Sequence, residues 1–382
     1  MFNDFIEFVQ NLYSTKSFIP LHAPNFNGNE KKFILDTIDS TYVSSVGKYV
    51  VDFEKSIERY TGAKYAIATI NGTAALHIAL KLSGVEKDTE VITQSLTFVA
   101  TCNAIRYCGA KPILIDVSRG TLGLCPKKLQ FFLEENCEVR DDGFCWNKLS
   151  NSRILVCLPM HTFGFPVELD EIEKICSKYN IQLIEDAAES LGSFYKKSHI
   201  GNIGKLSIMS FNGNKIITSG GGGMILTNDE EMATKAKHIS TTSKLAHEWD
   251  FVHDEVGFNY RLPNINAALG LAQMESLQKN LDSKRSIAKS YQNWGDDNDF
   301  EFIREPEDTQ SNYWLNQALM IDKEQRDAML KITNIEGVMT RPAWTPMHIL
   351  KINHDCQIGT MENTEWLFDR LVSVPSSAIL HG

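Results

Sequence analysis

Between about residue 60 and residue 227 short apolar runs alternate with stretches of helical periodicity. Tyr65–Ile70 (YAIATI) has the pattern of a strand, and Ala74–Leu82 (AALHIALKL) that of a helix that stops at Gly84. Glu90–Thr93 leads into a helical Thr97–Tyr107, and Pro112–Val117 (PILIDV) is strand-like again. Arg153–Met160, Ile181–Ala187, Leu206–Phe211 and Gly223–Thr227 continue the strands, with a helix over Leu169–Tyr179. These strands are apolar without clean alternation and helices separate them, which predicts an α/β fold with a parallel or mixed sheet covered on both faces. In such sheets ligands lie beyond the carboxyl ends of the strands. Residues that end strands are therefore the first place to look for chemistry.

The second half has a different rhythm. Pro263 is a helix-start signal, and Asn264–Asn280 and Asp282–Trp294 suit long helices. The acidic stretch Gly295–Gln310 predicts a surface connection, and Tyr313–Ile321 and Gly337–Arg341 predict strands of a smaller α+β domain. The expected division is a large domain over residues 1–250 and a smaller C-terminal domain over 251–382. The large one includes an N-terminal amphipathic helix, since Phe2, Phe5, Ile6, Val9, Leu12 and Tyr13 recur at helical spacing.

Composition narrows the classes. A chain of 382 residues with 43% hydrophobic residues has ample material for a core and is long for one domain. Its formal charge of −10 argues against a nucleic-acid or anionic-membrane partner, which needs a basic face, but not against a small anion held locally. Asp4 and Glu7 stand where a secretory leader would carry positive charge, and no apolar run approaches a membrane span, so a cytoplasmic protein is expected. The eight cysteines form no CxxC pair and predict buried free thiols. His247 and His253 are six apart, not at the spacing of a helical zinc pair, so no metal is expected.

Three constellations remain. Asn71-Gly72-Thr73 lies between a strand and a helix, where unpaired N–H groups and a glycine suit a phosphate and Thr73 is a candidate cap. Asp186 ends the strand Ile181–Ala187, and a carboxylate there must pair with something; Asp116 ends its strand in the same way. Lys215 follows a strand and precedes Gly220–Gly223, and a lysine held there is a candidate amine nucleophile. Alone, each also reads as ordinary structure: a capped turn, a salt-bridged aspartate, a solvated loop lysine. Gly201-Asn-Ile-Gly204-Lys205 echoes a phosphate loop but has two residues between its glycines, not four.

Taken in order, Gly72-Thr73, the aromatic of Ser95-Leu-Thr-Phe98, Glu185-Asp186-Ala-Ala and Ser210-Phe-x-x-x-Lys215 resemble the DegT/DnrJ/EryC1/StrS sugar aminotransferases, from about Ile19 to Ser377. The resemblance implies fold type I of the pyridoxal-phosphate enzymes (aspartate aminotransferase-like), with pyridoxal 5'-phosphate as cofactor. It implies that Lys215 holds the cofactor as a Schiff base and shuttles the proton, and that Asp186 pairs with the pyridine nitrogen. Gly72, Thr73 and Ser210 would hold its phosphate, Phe98 would stack on its ring, and Asn259 would reach the phosphate in a neighbouring subunit, so a homodimer with shared sites is implied. Trp344 and His348 become candidates for lining the sugar-nucleotide cleft, and Arg261 and Arg341 for anion contacts. Glu189 stands where many members have a glutamine facing the cofactor's phenolic oxygen; it must be protonated, turned away or paired. The details are most similar to the LegC-like branch. That implies amino transfer, with L-glutamate as donor, to C4 of a UDP-linked 4-keto-6-deoxy-N-acetylhexosamine in surface-glycan synthesis. A C3 enzyme, a GDP- or dTDP-sugar enzyme, and a non-catalytic binder on the same fold are the alternatives.

Overall fold

In the computed structural model, which describes residues 2–380, the apolar runs form a ten-stranded mixed sheet. Its main strands are β1 (Tyr65–Thr69), β2 (Thr89–Gln94), β3 (Lys111–Ile115), β4 (Arg153–Leu158), β5 (Gln182–Asp186), β6 (Leu206–Ser210) and β7 (Gly223–Thr227). They lie in the order β1-β7-β6-β5-β4-β2-β3. β2 to β6 pair in parallel, whereas β7 is antiparallel to both β6 and β1. Ile92, Val156, Ile184, Ile208 and Ile225 are wholly buried, because helices such as Gly72–Leu82, Val99–Tyr107 and Leu169–Lys178 cover the sheet. The antiparallel exception has a local cause. Residues 211–222 join β6 to β7 without a helix, and a parallel return needs a crossover helix. That connection carries Lys215.

A second core forms around the four-stranded sheet of Glu301–Phe302, Asn316–Leu319, Leu371–Val374 and Arg341–Pro342. The N-terminal helix Phe2–Leu12, expected with the large layer, seals this core instead: Phe5 stacks on Phe300 at 5.4 Å and Phe8 on Trp294 at 5.2 Å between ring centroids. The expected helix Asn264–Asn280 ends at Met274, and a single helix runs from Leu277 to Asp297, just into the stretch expected as a surface connection. Its buried face (Leu281, Lys284, Ile287, Ala288 and Tyr291) keeps helical spacing across the expected break. Residues up to Arg261 still pair with the large layer: Ile70 N donates to the Tyr260 carbonyl at 2.7 Å, and Arg261 bridges to Thr69. The helix that follows stays with that layer too, Asn266 Nδ2 donating to the Ser219 carbonyl at 2.7 Å, so the large layer extends past the expected boundary near residue 250. The expected strand Gly337–Arg341 shrinks to Arg341–Pro342.

Candidate active site

The carboxyl ends of β1, β5 and β6 converge on one cavity of about 310 Å³, lined among others by Gly72, Thr73, Phe98, Asp186, Ser210 and Lys215. One wall is the start of the helix Gly72–Leu82. The cap is Asn71, not Thr73: the Asn71 side chain accepts from Ala74 N at 2.8 Å. The residue before the first helical turn has the extended backbone and reach to bond the third N–H, so the cap falls there. This leaves the Thr73 hydroxyl free for another partner, and the first-turn N–H groups of Gly72 and Thr73 have no acceptor within the helix. Gly72 and Gly223 make the approach possible. A Cβ on Gly72 would lie 3.1 Å from Ser210 Cβ, and one on Gly223 would lie 2.4 Å from the Asn71 carbonyl oxygen. The glycines ending the β6–β7 connection thus press β7 against the helix start.

Asp186, the last residue of β5, is buried. Oδ2 accepts from the Thr101 hydroxyl at 2.8 Å and Oδ1 from Ala188 N at 3.3 Å. Burial raises its carboxyl above the ordinary range, against the Thr101 and Ala188 hydrogen bonds and the positive charge of Lys215, all of which pull it down. Thr101 in turn meets the Thr97 hydroxyl at 2.9 Å.

Lys215 rides on the β6–β7 connection, which is closed by Phe211 N donating to the Gly222 carbonyl and anchored by the buried Ile216 and Ile217. Its Nζ lies 2.9 Å from Glu189 Oε1 and 3.9 Å from the centre of the Trp314 ring. The Trp314 indole donates to the Asn214 carbonyl at 2.6 Å, which ties the lysine's loop to the segment leading into Asn316–Leu319. Of the alternatives open for Glu189, the structure selects pairing. Burial pushes its carboxyl up to about 7, although the nearby Lys215 charge and hydrogen bond act the other way.

The site residues implied by the resemblance divide into two groups. Gly72, Thr73, Phe98, Asp186, Glu189, Ser210, Lys215 and Trp344 line the cavity together. Trp344 packs on Phe163 at 4.8 Å and on Phe98 at 5.8 Å between ring centroids. Asn259, Arg261, Arg341 and His348 do not line it. Asn259 is exposed and accepts from Arg261 Nε at 2.9 Å. Arg341 is exposed and held on Asn334 and the Thr340 carbonyl. His348 is committed to Ser95 Oγ at 2.7 Å and Glu365 at 3.3 Å, so it pins a turn instead of facing the cleft. Thr101 and Trp314 were not singled out in the sequence, and Asn71 was named there without the capping role, which went to Thr73. Thr101 carried a usable signal, lying one helical turn after Phe98.

Pyridoxal phosphate fits these residues. The helix start and Ser210, packed against Gly72 more tightly than most Cβ contacts allow, suit its phosphate. Asp186 has acceptor capacity left for a protonated ring nitrogen, and Lys215 supplies an amine.

Comparison with known proteins agrees. Residues 24–382 match the model of the DegT/DnrJ/EryC1/StrS aminotransferase family. The GDP-perosamine synthase of Caulobacter vibrioides is 34% identical over 341 residues, 87% of this chain and 86% of that protein. EpsN of Bacillus subtilis, described as a pyridoxal phosphate-dependent aminotransferase, is 35% identical over 369 residues, 94% and 91% of the two chains. The solved structure of Helicobacter pylori PseC superposes with a TM-score of 0.84, at 23% identity and 94% coverage of both chains, which speaks to the fold.

Proposed function

The chain belongs to the DegT/DnrJ/EryC1/StrS aminotransferase family, and from that premise we propose that it aminates C4 of a nucleotide-linked 4-keto-6-deoxy sugar, with L-glutamate as donor. It is a pyridoxal-phosphate-dependent nucleotide-sugar aminotransferase with the type I fold. The observation that carries the site assignment is the meeting of Lys215 Nζ, the Asp186 carboxylate and the Gly72–Ser210 junction around one cavity. When bound, the cofactor supplies a carbonyl carbon for amines and a ring that accepts the electrons of a broken C–H bond. Every other task falls to the chain. Gly72 N, Thr73 N, the Thr73 hydroxyl and Ser210 hold the phosphate; Asp186 keeps a proton on the ring nitrogen. Lys215 Nζ anchors the cofactor and moves the proton between reacting carbons.

Trp344 and Phe98 frame the side of the cavity through which the sugar would enter. The sequence resemblance supports a UDP-linked N-acetylated sugar; the relative that makes GDP-perosamine supports a GDP-linked one as the second reading. A second subunit completes the site in this proposal. The exposed apolar residues Trp249, Phe251 and Val256, on the segment that leads to Asn259, and Tyr42 and Val46, on a segment tied to Asn264, support such a homodimer.

Lys215→Ala decides the matter. The purified wild type should be yellow, glutamate should bleach that band, and each keto sugar should restore it only if it is an acceptor. The variant should lose the cycle by at least about 10³-fold. Cycling near the wild-type rate would remove Lys215 from the mechanism. Product analysis with UDP-, GDP- and dTDP-linked 4-keto-6-deoxy sugars chooses the nucleotide.

A further inference from the structure

Glu189 is only 2% exposed, and its surroundings fix it on every side. Oε2 accepts from Phe163 N at 2.9 Å, Oε1 faces Lys215 Nζ at 2.9 Å, and its main-chain carbonyl accepts from Asn312 Nδ2 at 2.7 Å. The charged groups acting on it are Lys215 and, with opposite effect, Asp186. A buried ion pair is favourable only while both charges and their remaining hydrogen bonds are in place. As a neutral amine and a neutral acid, the same two groups keep their hydrogen bond and leave no charge buried. One proton moving along that bond interconverts the two arrangements.

We propose that Glu189 is the group that deprotonates Lys215. An N–H bond on Nζ breaks, an O–H bond forms on Oε1, and amine plus carboxylic acid replace ammonium plus carboxylate, so no net charge appears. The lone pair left on Nζ is what Lys215 needs, first to engage a carbonyl carbon and later to take a proton from a C–H bond. The proposal rests on the assignment of Lys215 as the cofactor's anchor. The Trp314 ring face favours the cation, while burial of Glu189 favours the neutral acid, so the two surroundings pull the shared proton in opposite directions. The value near 7 for Glu189 is where a proton acceptor works best at neutral pH. A glutamine has one oxygen acceptor, so it can keep the Phe163 N–H bond only by turning its amide N–H toward Lys215, and it cannot take the proton.

Infrared difference spectra between pyridoxal phosphate-loaded and cofactor-free protein test this. Wild type should gain a protonated-carboxyl band on loading, and the band should shift when the protein carries ¹³C-labelled glutamate. It should be absent in Glu189→Gln. No such band in wild type, no isotope shift, or a band that survives in the variant would overturn the proposal. In stopped-flow mixing, cofactor-free Glu189→Gln should form the C=N absorbance about 10²-fold more slowly at neutral pH and recover as pH rises; an equal rate at all pH values would also overturn it. Borohydride reduction and mass mapping separate the two assignments. Label away from Lys215 removes the anchor; label on Lys215 without the carboxyl band removes the proton transfer alone.

Discussion

Asp116 and Asp186 stand at the ends of two parallel strands of one sheet, and both are buried. Their surroundings differ. Asp116 accepts from Val117 N at 2.9 Å, Asn363 N at 3.0 Å, Thr364 N at 2.7 Å and the Thr364 hydroxyl at 2.7 Å. It caps the helix Glu362–Phe368 from across the fold. Asp186 receives one hydroxyl and one long backbone bond, and the rest of its acceptor capacity faces the cavity. The adjacent glutamates repeat the contrast. Glu185 accepts from Gly201 N at 2.9 Å, Ile203 N at 3.0 Å and Gly204 N at 2.7 Å and meets His161 at 3.2 Å. Glu189 has Phe163 N and Lys215. A carboxylate enclosed by its own chain holds the fold together; one left partly unmet is available to a ligand.

Asparagine at each aspartate is the strongest way to break this contrast. Asp186→Asn should lower amino transfer by at least about 10³-fold, because a neutral amide does not hold a proton on the ring nitrogen. Its thermal midpoint without cofactor should stay level or rise, since a desolvated charge is removed. A variant that unfolds more readily and keeps its turnover would make Asp186 a structural group like Asp116.

The glutamates sharpen the contrast through pH. Glu189 is raised from 4.5 to about 7, so its contribution to the stability of the cofactor-free protein is complete below the ordinary value and is lost as pH climbs through the folded one. Glu185 runs the opposite way. Burial pushes it up, but His161 and the backbone N–H groups of Gly204 and Gly201 outweigh that and hold it below its ordinary value. Its contribution is present above the ordinary range and lost as pH falls. Denaturant midpoints between about pH 5 and about pH 8 should therefore decline less in Glu189→Gln than in wild type, by roughly 1–3 kcal/mol. Glu185→Gln should lose stability chiefly at the upper end. Identical pH profiles for all three proteins would show that the donor sets do not govern these groups.

Asp116→Asn comes next in size. It keeps one oxygen acceptor and sets an amide donor against the Asn363 or Thr364 N–H, a loss of about 1–3 kcal/mol. Turnover per folded molecule should be unchanged, measured by activity against active-site content. A fall in turnover at full folding would place Asp116 in the chemistry.

Asp116 and Asp186 also mark how far the sequence could be read. The strands were legible because a doubly covered sheet writes apolar runs into the chain: β7 spans Gly223–Thr227 as expected, and Leu169–Lys178 differs by one residue from its expected helix. The candidate site was legible as an ordered set of motifs, since Gly72, Asp186 and Ser210 each sit at the end of a strand or the start of a helix and Lys215 lies on the connection between two strands. Donors arriving from far along the chain were not legible. Asn363 and Thr364 satisfy Asp116 across about 250 residues, and Trp314 reaches Lys215 from the segment leading into Asn316–Leu319. Local pattern carries no trace of such partners, so the two aspartates looked alike. The Gly201–Gly204 loop, which echoed a phosphate loop, turned out to close on Glu185: its N–H groups do bind an anion, but one belonging to the chain.

The smallest expected effect tests the partial satisfaction of Asp186 itself. The Thr101 hydroxyl is its shorter bond, and Thr101→Val removes that donor while keeping the side chain's shape. Losing it disfavours the charged carboxyl, already raised by burial, and the carboxylate is the form that pairs with a protonated ring nitrogen. The cost is about 1–2 kcal/mol of cofactor binding, or roughly a tenfold weaker affinity. Stability without cofactor should fall by no more than about 1 kcal/mol, the net worth of one hydrogen bond, because valine fills the same space. Equilibrium dialysis with pyridoxal phosphate measures the first quantity and a denaturant melt the second. If Thr101→Val binds the cofactor as tightly as wild type but melts early, Thr101 serves the packing of Val99–Tyr107, and Asp186 owes its readiness to burial alone.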